Sequence, residues 1–457
     1  MSSGSTSAAA AAPHVAGAVS VARPSVATLV MQFLGSMKLS VWLLLILALL
    51  TWLGTLAQKD RSTHDVQREY FESWWVIAEL PLSFWGKVLF ETADGKPWPL
   101  RIPLPGAYPV MGLLFVNLLV GGFLRMKWSA RNAGILITHF GIAFLLIAGF
   151  VKLHYSYAGM LSVYEWPANG NAHPDRVYQT ARFESSYDDE LVLLVDRGDT
   201  VEERLLPAHE LRGARDDGRV VVTAAGLPFR IEVHHWVDWS QAMPKGPMVK
   251  TLMPVVEGVF LKPVEWPAGM QPRAEAEMPG CYVTILGDGG ERIEGILQNR
   301  SLMPMNKARY PLAFTVKGQR YGLDLRRVIR DLPFELRLDK FQKKDHPGTM
   351  SPMDFRSFVS VVEGGAAQEA QVFMNNPLRK AGYVVYQSSW GPQIEGVPRG
   401  GPPWFSVFEV SHNPSDFWPA LACFVIALGL LWHFLVKLRR FLQSSARASL
   451  QPSEGDA

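Results

Sequence analysis

The chain has 457 residues, 45 Lys and Arg against 42 Asp and Glu, and a net charge of +3. So small an excess gives no basis for a nucleic-acid partner, and the length suits two or three domains. Only Cys281 and Cys423 occur, with no CxxC, CxxCH or Cys/His cluster, which argues against thiol redox chemistry, covalent heme attachment to this chain and structural zinc.

Residues 1–36 are rich in Ala and Ser and read as a disordered cytoplasmic tail. The tail is too long and too weakly charged for a signal-peptide n-region, so the apolar run after it is expected to be an uncleaved anchor. That run, Leu39–Ala57, is the first candidate span. Residues 58–106 form an outer loop, in which the aromatic-rich stretch 70–90 predicts a helix at the membrane interface or on the outer domain. Pro97, Pro99, Pro103, Pro105 and Pro109 predict irregular backbone after it. Ala107–Leu124 is the second span, with Asn117 near its middle. The third runs from Ala133 to Val151, 19 residues without a formal charge, or about 28 Å of helix at the usual rise. The fourth is Phe417–Val436.

Arg125, Lys127 and Arg131 lie between spans two and three, and Lys437, Arg439 and Arg440 follow span four. Positive charge near span ends marks the cytoplasmic side. The expected organisation is a three-helix membrane region over 37–154, an extracytoplasmic β-rich domain over 155–416, a fourth helix over 417–440 and a cytoplasmic tail over 441–457. Alternation in 229–236 and 334–341, and hairpin signals at 282–297 and 314–325, predict an antiparallel, sandwich-like domain. Further strand patterns fall at 190–196, 219–224, 356–363, 382–390 and 404–410.

No nucleophile elbow, phosphate loop or dinucleotide fingerprint occurs. Asp188-Asp189 and Asp216-Asp217 read as solvated turn residues. His234-His235 fall on a strand, whose successive side chains point to opposite faces, so the pair is not expected to hold one ion. The histidines in the apolar spans are different. An imidazole in lipid is costly and faces protein or a ligand. His139 borders a face of small residues made by Gly134, Thr138, Gly141, Leu145 and Ala148, on which a second helix and a flat macrocycle could lie. From the residues alone, a hydrogen bond across the bundle and ligation of a metal or heme iron both stand for His139. His433, near the inner end of the fourth span, is a second candidate ligand of heme iron, with snorkelling toward the headgroups beside Lys437 as its alternative. His154 and His412 flank the same two spans on the outer side.

Several phrases resemble one known family in both content and order. They are FLGSMKLSVWLLLILALLTWLGTLAQ (33–58), YFESWWV (70–76), ITHFGIAFLLIAG (137–149), HPGTMSPMDFRSFVSVV (346–362), NNPLRKAGYVVYQSSW (375–390) and the span after NPSDFW (413–418). With three spans before a large outer domain and one after it, the chain resembles the ResB family of System II cytochrome c biogenesis proteins. The resemblance implies a subunit of a holocytochrome c synthase complex in the cell inner membrane. It would act with a CcsA-type heme-handling membrane protein to export heme b and present it to apocytochrome c. Thioredoxin-like thiol reductants are further implied partners. The Trp-rich motif of the CcsA-type partner is missing: Trp236, Trp239 and Trp390 are only fragments of it. The family's transmembrane heme-ligating histidine falls on His139, and no family role falls on His433. The Pro-rich stretch 101–109 departs from the family pattern. Two other classes stay open: a membrane-anchored β-domain sensor or envelope-binding protein, and a cytochrome b type electron-transfer subunit.

Overall fold

The computed structural model describes residues 25–58, 63–80, 100–168, 170, 172–174, 176–206, 211–215, 218–223, 226–264, 278–299, 311–349, 351–391 and 404–449. Among the described residues, four helices are long and apolar enough to cross a membrane, three before the β-rich domain and one after it.

Helix α1 (Val26–Leu34) lies inside the stretch expected to be a disordered tail. Its Ser25 hydroxyl accepts the Thr28 amide at 3.2 Å, the usual device for satisfying a free amide at a helix start. The tail expectation therefore fails from residue 25 onward, and residues 1–24 lie outside those described. Helix α2 (Met37–Ala57) is the first span, capped by Ser36. A short α3 (Thr63–Val66) and a π-turn (Gln67–Phe71) follow it. Strands β1 (Trp75–Leu80) and β2 (Leu100–Pro105) then pair antiparallel. Of the helix expected over 70–90, residues 75–80 form a strand and 81–90 lie outside the described residues, and the Pro-rich stretch supplies the partner strand. Proline lacks an amide, but an edge position of a two-stranded ribbon requires none from it on the open side.

Helix α4 (Ala107–Leu119) continues as a π-turn, Val120–Leu124, to complete the second span. Helix α5 (Ala133–Tyr155) is the third and α6 (Trp418–Ser449) the fourth, and α6 runs on into the stretch expected to be a C-terminal tail. The small-residue face of α5 is where α6 packs. A Cβ at Gly134 would fall 2.6 Å from the His433 amide nitrogen, and one at Gly429 would fall 2.6 Å from that of Thr138. One at Gly141 would meet Ile426 Cγ1 at 2.6 Å. In lipid, close backbone approach replaces the missing hydrophobic drive between helices, so these glycines set the helix pair. At the outer end, the buried Ser415 hydroxyl donates to the Ala148 carbonyl at 2.9 Å.

The outer domain is built on two long bent strands, β4 (Gln179–Asp196) and β13 (Gln319–Asp345). They pair with each other and run through a sheet ordered β15-β14-β13-β4-β3-β18-β17-β16, with β12 and β5 added on β13 and β4. The remaining members are β3 (Tyr157–Tyr164), β5 (Val201–Leu206), β12 (Leu312–Val316), β14 (Pro352–Glu363), β15 (Ala366–Phe373), β16 (Leu378–Lys380), β17 (Tyr383–Gly391) and β18 (Phe405–His412). A second sheet, β11-β10-β7-β6, packs on the β12/β13/β4/β5 part. It comprises β6 (Arg219–Val222), β7 (Phe229–Val237), β10 (Gly280–Gly287) and β11 (Arg292–Gln298). A ribbon of β8 (Ser240–Pro244) and β9 (Val259–Pro263) stands beside it.

There are two outer cores. One lies between the sheets, around Leu191, Leu193, Ile231, Ile285 and Leu323. The other lies inside the curled half of the large sheet, around Leu161, Phe183, Leu336, Leu338 and Phe408. Full burial of one such side chain contributes about 1.5–3 kcal/mol before chain entropy is counted. Both predicted hairpins are present; Lys317 and Gly318 sit at φ of 49° and 78°, as a tight strand-to-strand turn requires.

The domain joins the helices at two places. Strand β3 starts right after α5 and pairs with β18, which leads into α6. On the other side His64 of α3 stacks on Tyr187 of β4, with ring centroids 4.1 Å apart. Tyr187 stands where β4 bulges away from β13, and Asp188 and Asp189 follow it. Asp189 is no solvated turn residue. It pairs with Arg327 at 3.2 Å, with side chains 8 % and 4 % exposed, and accepts from Asn299 at 2.6 Å. Burial pushes its carboxyl above the ordinary range, while Arg327 pulls it back. Asp216 and Asp217 lie outside the described residues.

A candidate ligand site around His139

His139 lies in the second turn of α5, half-buried. Its Nδ1 is 2.7 Å from the Ile135 carbonyl oxygen. A carbonyl only accepts, so Nδ1 carries the proton and donates, and in the neutral ring the lone pair then lies on Nε2. This is the arrangement that orients a metal-binding imidazole: one nitrogen held by a backbone carbonyl, the other left to ligate.

The wall beside the ring is Gly122, in the π-turn that ends the second span. A Cβ there would fall 2.6 Å from His139 Cδ2 and 3.1 Å from Cγ. A single π-turn within a helix shifts the register of everything after it, and such turns recur at functional sites. Next to it, Gly121 backs onto the Gly35 carbonyl at the elbow between α1 and α2. That elbow is pinned to the second span by Asn117, 6 % exposed in an apolar helix. The Asn117 amide donates to the Leu34 and Ser36 carbonyls at 2.6 and 3.1 Å, and its oxygen accepts from Ser40 at 2.6 Å. Arg125 adds bonds to the Gln32 and Gly35 carbonyls, both at 3.3 Å. Thus α1, α2 and the π-turn form one rigid block that holds Gly122 against His139. The Gly121-Gly122 pair and the lone Asn117 were the legible signals of this block, and only the fold links them to His139.

The other histidines are placed elsewhere. The His433 backbone meets α5 at Gly134, five residues before His139, about 7.5 Å away along the axis at the helical rise. His154 packs against Phe150 and Tyr108, at centroid distances of 4.3 and 5.9 Å. His412 stacks on Tyr157 at 4.9 Å, where β18 leaves the domain. The fold therefore does not bring the membrane histidines together around one point. Nor does the small-residue face of α5 leave space for a macrocycle, because α6 fills it. The side of His139 still open is its exposed one. Among the described residues no three His, Cys, Asp or Glu side chains converge as a metal site. Cys281 is fully buried in β10 and burial pushes its thiol up to about 12, while Cys423 is exposed on α6. A thiol so protonated is a poor nucleophile at neutral pH.

Residues 315–399 match the model of the ResB-like family. That segment is ResB-like. It runs from β12 through β17 and contains the two outer-domain phrases, 346–362 and 375–390, that carried the resemblance. The chain is also 32 % identical over 112 residues to "Protein NrfI" of Wolinella succinogenes, a stretch that is 24 % of this chain and 11 % of the relative. The chain therefore spans about a tenth of that relative's length. With four apolar helices flanking an antiparallel β-rich domain, its architecture is the one expected from the resemblance.

Proposed function

We propose that this chain is a membrane subunit of cytochrome c biogenesis that holds heme b at His139 and, with a CcsA-type partner, carries it outward to apocytochrome c. The reading rests on one observation above all: in a chain with a ResB-like segment, the deep membrane imidazole has Nδ1 tied to the Ile135 carbonyl and Nε2 free. The residues present fit a ligand of heme iron. A neutral imidazole with a fixed tautomer is the form iron takes, and Gly122, lacking a Cβ, lets the ring pack against the second span. Because α6 covers the small-residue face, the group would be held on the open side of His139, facing the partner, which would supply further ligation.

Bound heme would supply the vinyl groups to which apocytochrome thiols add. The residues of this chain orient and position. Ile135 holds the His139 proton, Gly122 fixes the ring plane and the Asn117 block fixes Gly122. The α5/α6 pair transmits position to the outer domain through Ser415 and the β3/β18 junction. The chain purified with its CcsA-type partner is expected to show a Soret band and to support maturation of a reporter cytochrome c. A complex that matures the reporter with no heme on this chain would remove the heme-binding part of the reading.

The same proposal places the outer domain in the periplasm of the inner membrane, with the loop 125–131 and the end of α6 in the cytoplasm. Alkaline phosphatase fused after residue 300 should be active and after residue 128 inactive. The opposite pattern would invert the topology.

A further inference from the structure

Strand alternation predicts that His234 and His235 point to opposite faces of β7, and the structure overturns this. The register of β7 against β10 slips between Gly280 and Tyr282. At that bulge His235 takes a φ of 51°, a left-handed conformation that costs a side-chain-bearing residue about 1 kcal/mol. The twist swings its ring to the side of His234. The two Nδ1 atoms stand 2.8 Å apart in a hydrogen bond, one ring donating to the other, with the rings inclined at 76°; a metal would take the place of the shared proton. Both rings are half-buried. Tyr282 stacks beneath His234 and meets His235 edge-on, at 5.9 and 5.8 Å.

We propose that His234 and His235 form a two-nitrogen chelating site for a divalent d-block cation of copper type on the outer domain. A metal bound by two nitrogens at about 2.05 Å and at right angles needs them about 2.9 Å apart. The observed spacing matches that bite. A right-angled nitrogen pair is the half-set of the tetragonal geometry that Cu2+ and Ni2+ favour.

The second shell suits this use. His234 Nε2 lies 3.4 Å from the Thr284 hydroxyl, which can take the ring proton there and leave Nδ1 bare. The nearest carboxylates are engaged elsewhere: Glu232 lies 3.7 Å from Arg230, and Glu294 pairs with Arg292 at 2.7 Å. The Tyr282 hydroxyl is used by the Leu261 amide. With two protein donors the remaining positions fall to water, so the site is exchangeable. It lies on the β11-β10-β7-β6 sheet and does not depend on His139 or on heme.

The test is titration of the detergent-purified full chain with copper(II) chloride, followed by electron paramagnetic resonance. The expected result is one equivalent bound at micromolar copper, with an axial signal split by two imidazole nitrogens. His234→Ala should abolish it. His235→Gly should also abolish it while leaving the fold intact, because glycine accepts the left-handed backbone without strain. Thr284→Val should weaken it roughly tenfold through loss of ring orientation. Wild-type protein that holds no equivalent at micromolar copper overturns the proposal, as does the same two-nitrogen signal surviving in either histidine variant.

Discussion

His139→Ala is expected to strip heme from the purified complex and stop cytochrome c maturation while leaving membrane insertion unchanged. A residual heme content reduced roughly tenfold or more is the scale set by losses at ligand sites. Insertion should survive because each of the four spans keeps a long apolar window and close α5/α6 approach is made at Gly134, Thr138, Gly141 and Gly429. The substitution removes the free Nε2 and the bond to Ile135 together, and leaves a cleft beside Gly122 in which added imidazole can sit. Partial recovery with imidazole would separate a missing ligand from a damaged helix. His433→Ala is the internal comparison. Its backbone packs at the level of Gly134, well short of His139, so its loss should lower maturation far less. Absorption at the Soret band and staining of the reporter for covalent heme measure both. Full heme content together with full maturation in His139→Ala would reduce the histidine to a structural hydrogen-bonder.

Arg327→Met should destabilise the outer domain by about 3–5 kcal/mol, because it leaves a buried carboxylate without its ion-pair partner. Asp189 is 8 % exposed, and it also accepts a hydrogen bond from the neutral Asn299 amide. The loss depends on pH with a definite sign. Burial already raises the Asp189 carboxyl, and without Arg327 it rises further. A group whose folded pKa lies above its unfolded value lends stability below the unfolded pKa and loses it as pH rises through the folded one. The deficit of Arg327→Met is therefore greatest at neutral pH and shrinks on acidification toward the carboxylate range. Adding Asp189→Asn should recover much of it, since replacing both members of a buried pair costs far less than removing one. Thermal unfolding by tryptophan fluorescence at several pH values checks this. A deficit independent of pH, or undiminished in the double variant, would show that Arg327 acts through packing and not through Asp189.

The four spans were legible because a bilayer demands long uncharged runs and little else. The strands were legible where one face is buried, as in β7, β13 and β17, because alternation records that burial residue by residue. The stretch 70–90 misled for a physical reason. Its aromatic residues fit an interfacial helix as well as a strand, and what selected β1 was a Pro-rich partner 20 or more residues later. Asp189 misled because a carboxylate in a polar stretch looks solvated until the arginine that buries it, far along the chain in β13, is known.

By itself the sequence determined the membrane spans and the β class of the outer domain, and it marked His139 as a candidate, since each follows from local hydropathy or from one polar group in an apolar run. Tertiary structure alone decided what surrounds those residues. It filled the small-residue face of α5 with α6, and it set Gly122 beside His139 through a block tied together by Asn117. It also turned His235 onto the same side as His234. All three depend on contacts between distant segments, and a left-handed residue at a bulge overrides the two-residue period that local pattern assumes.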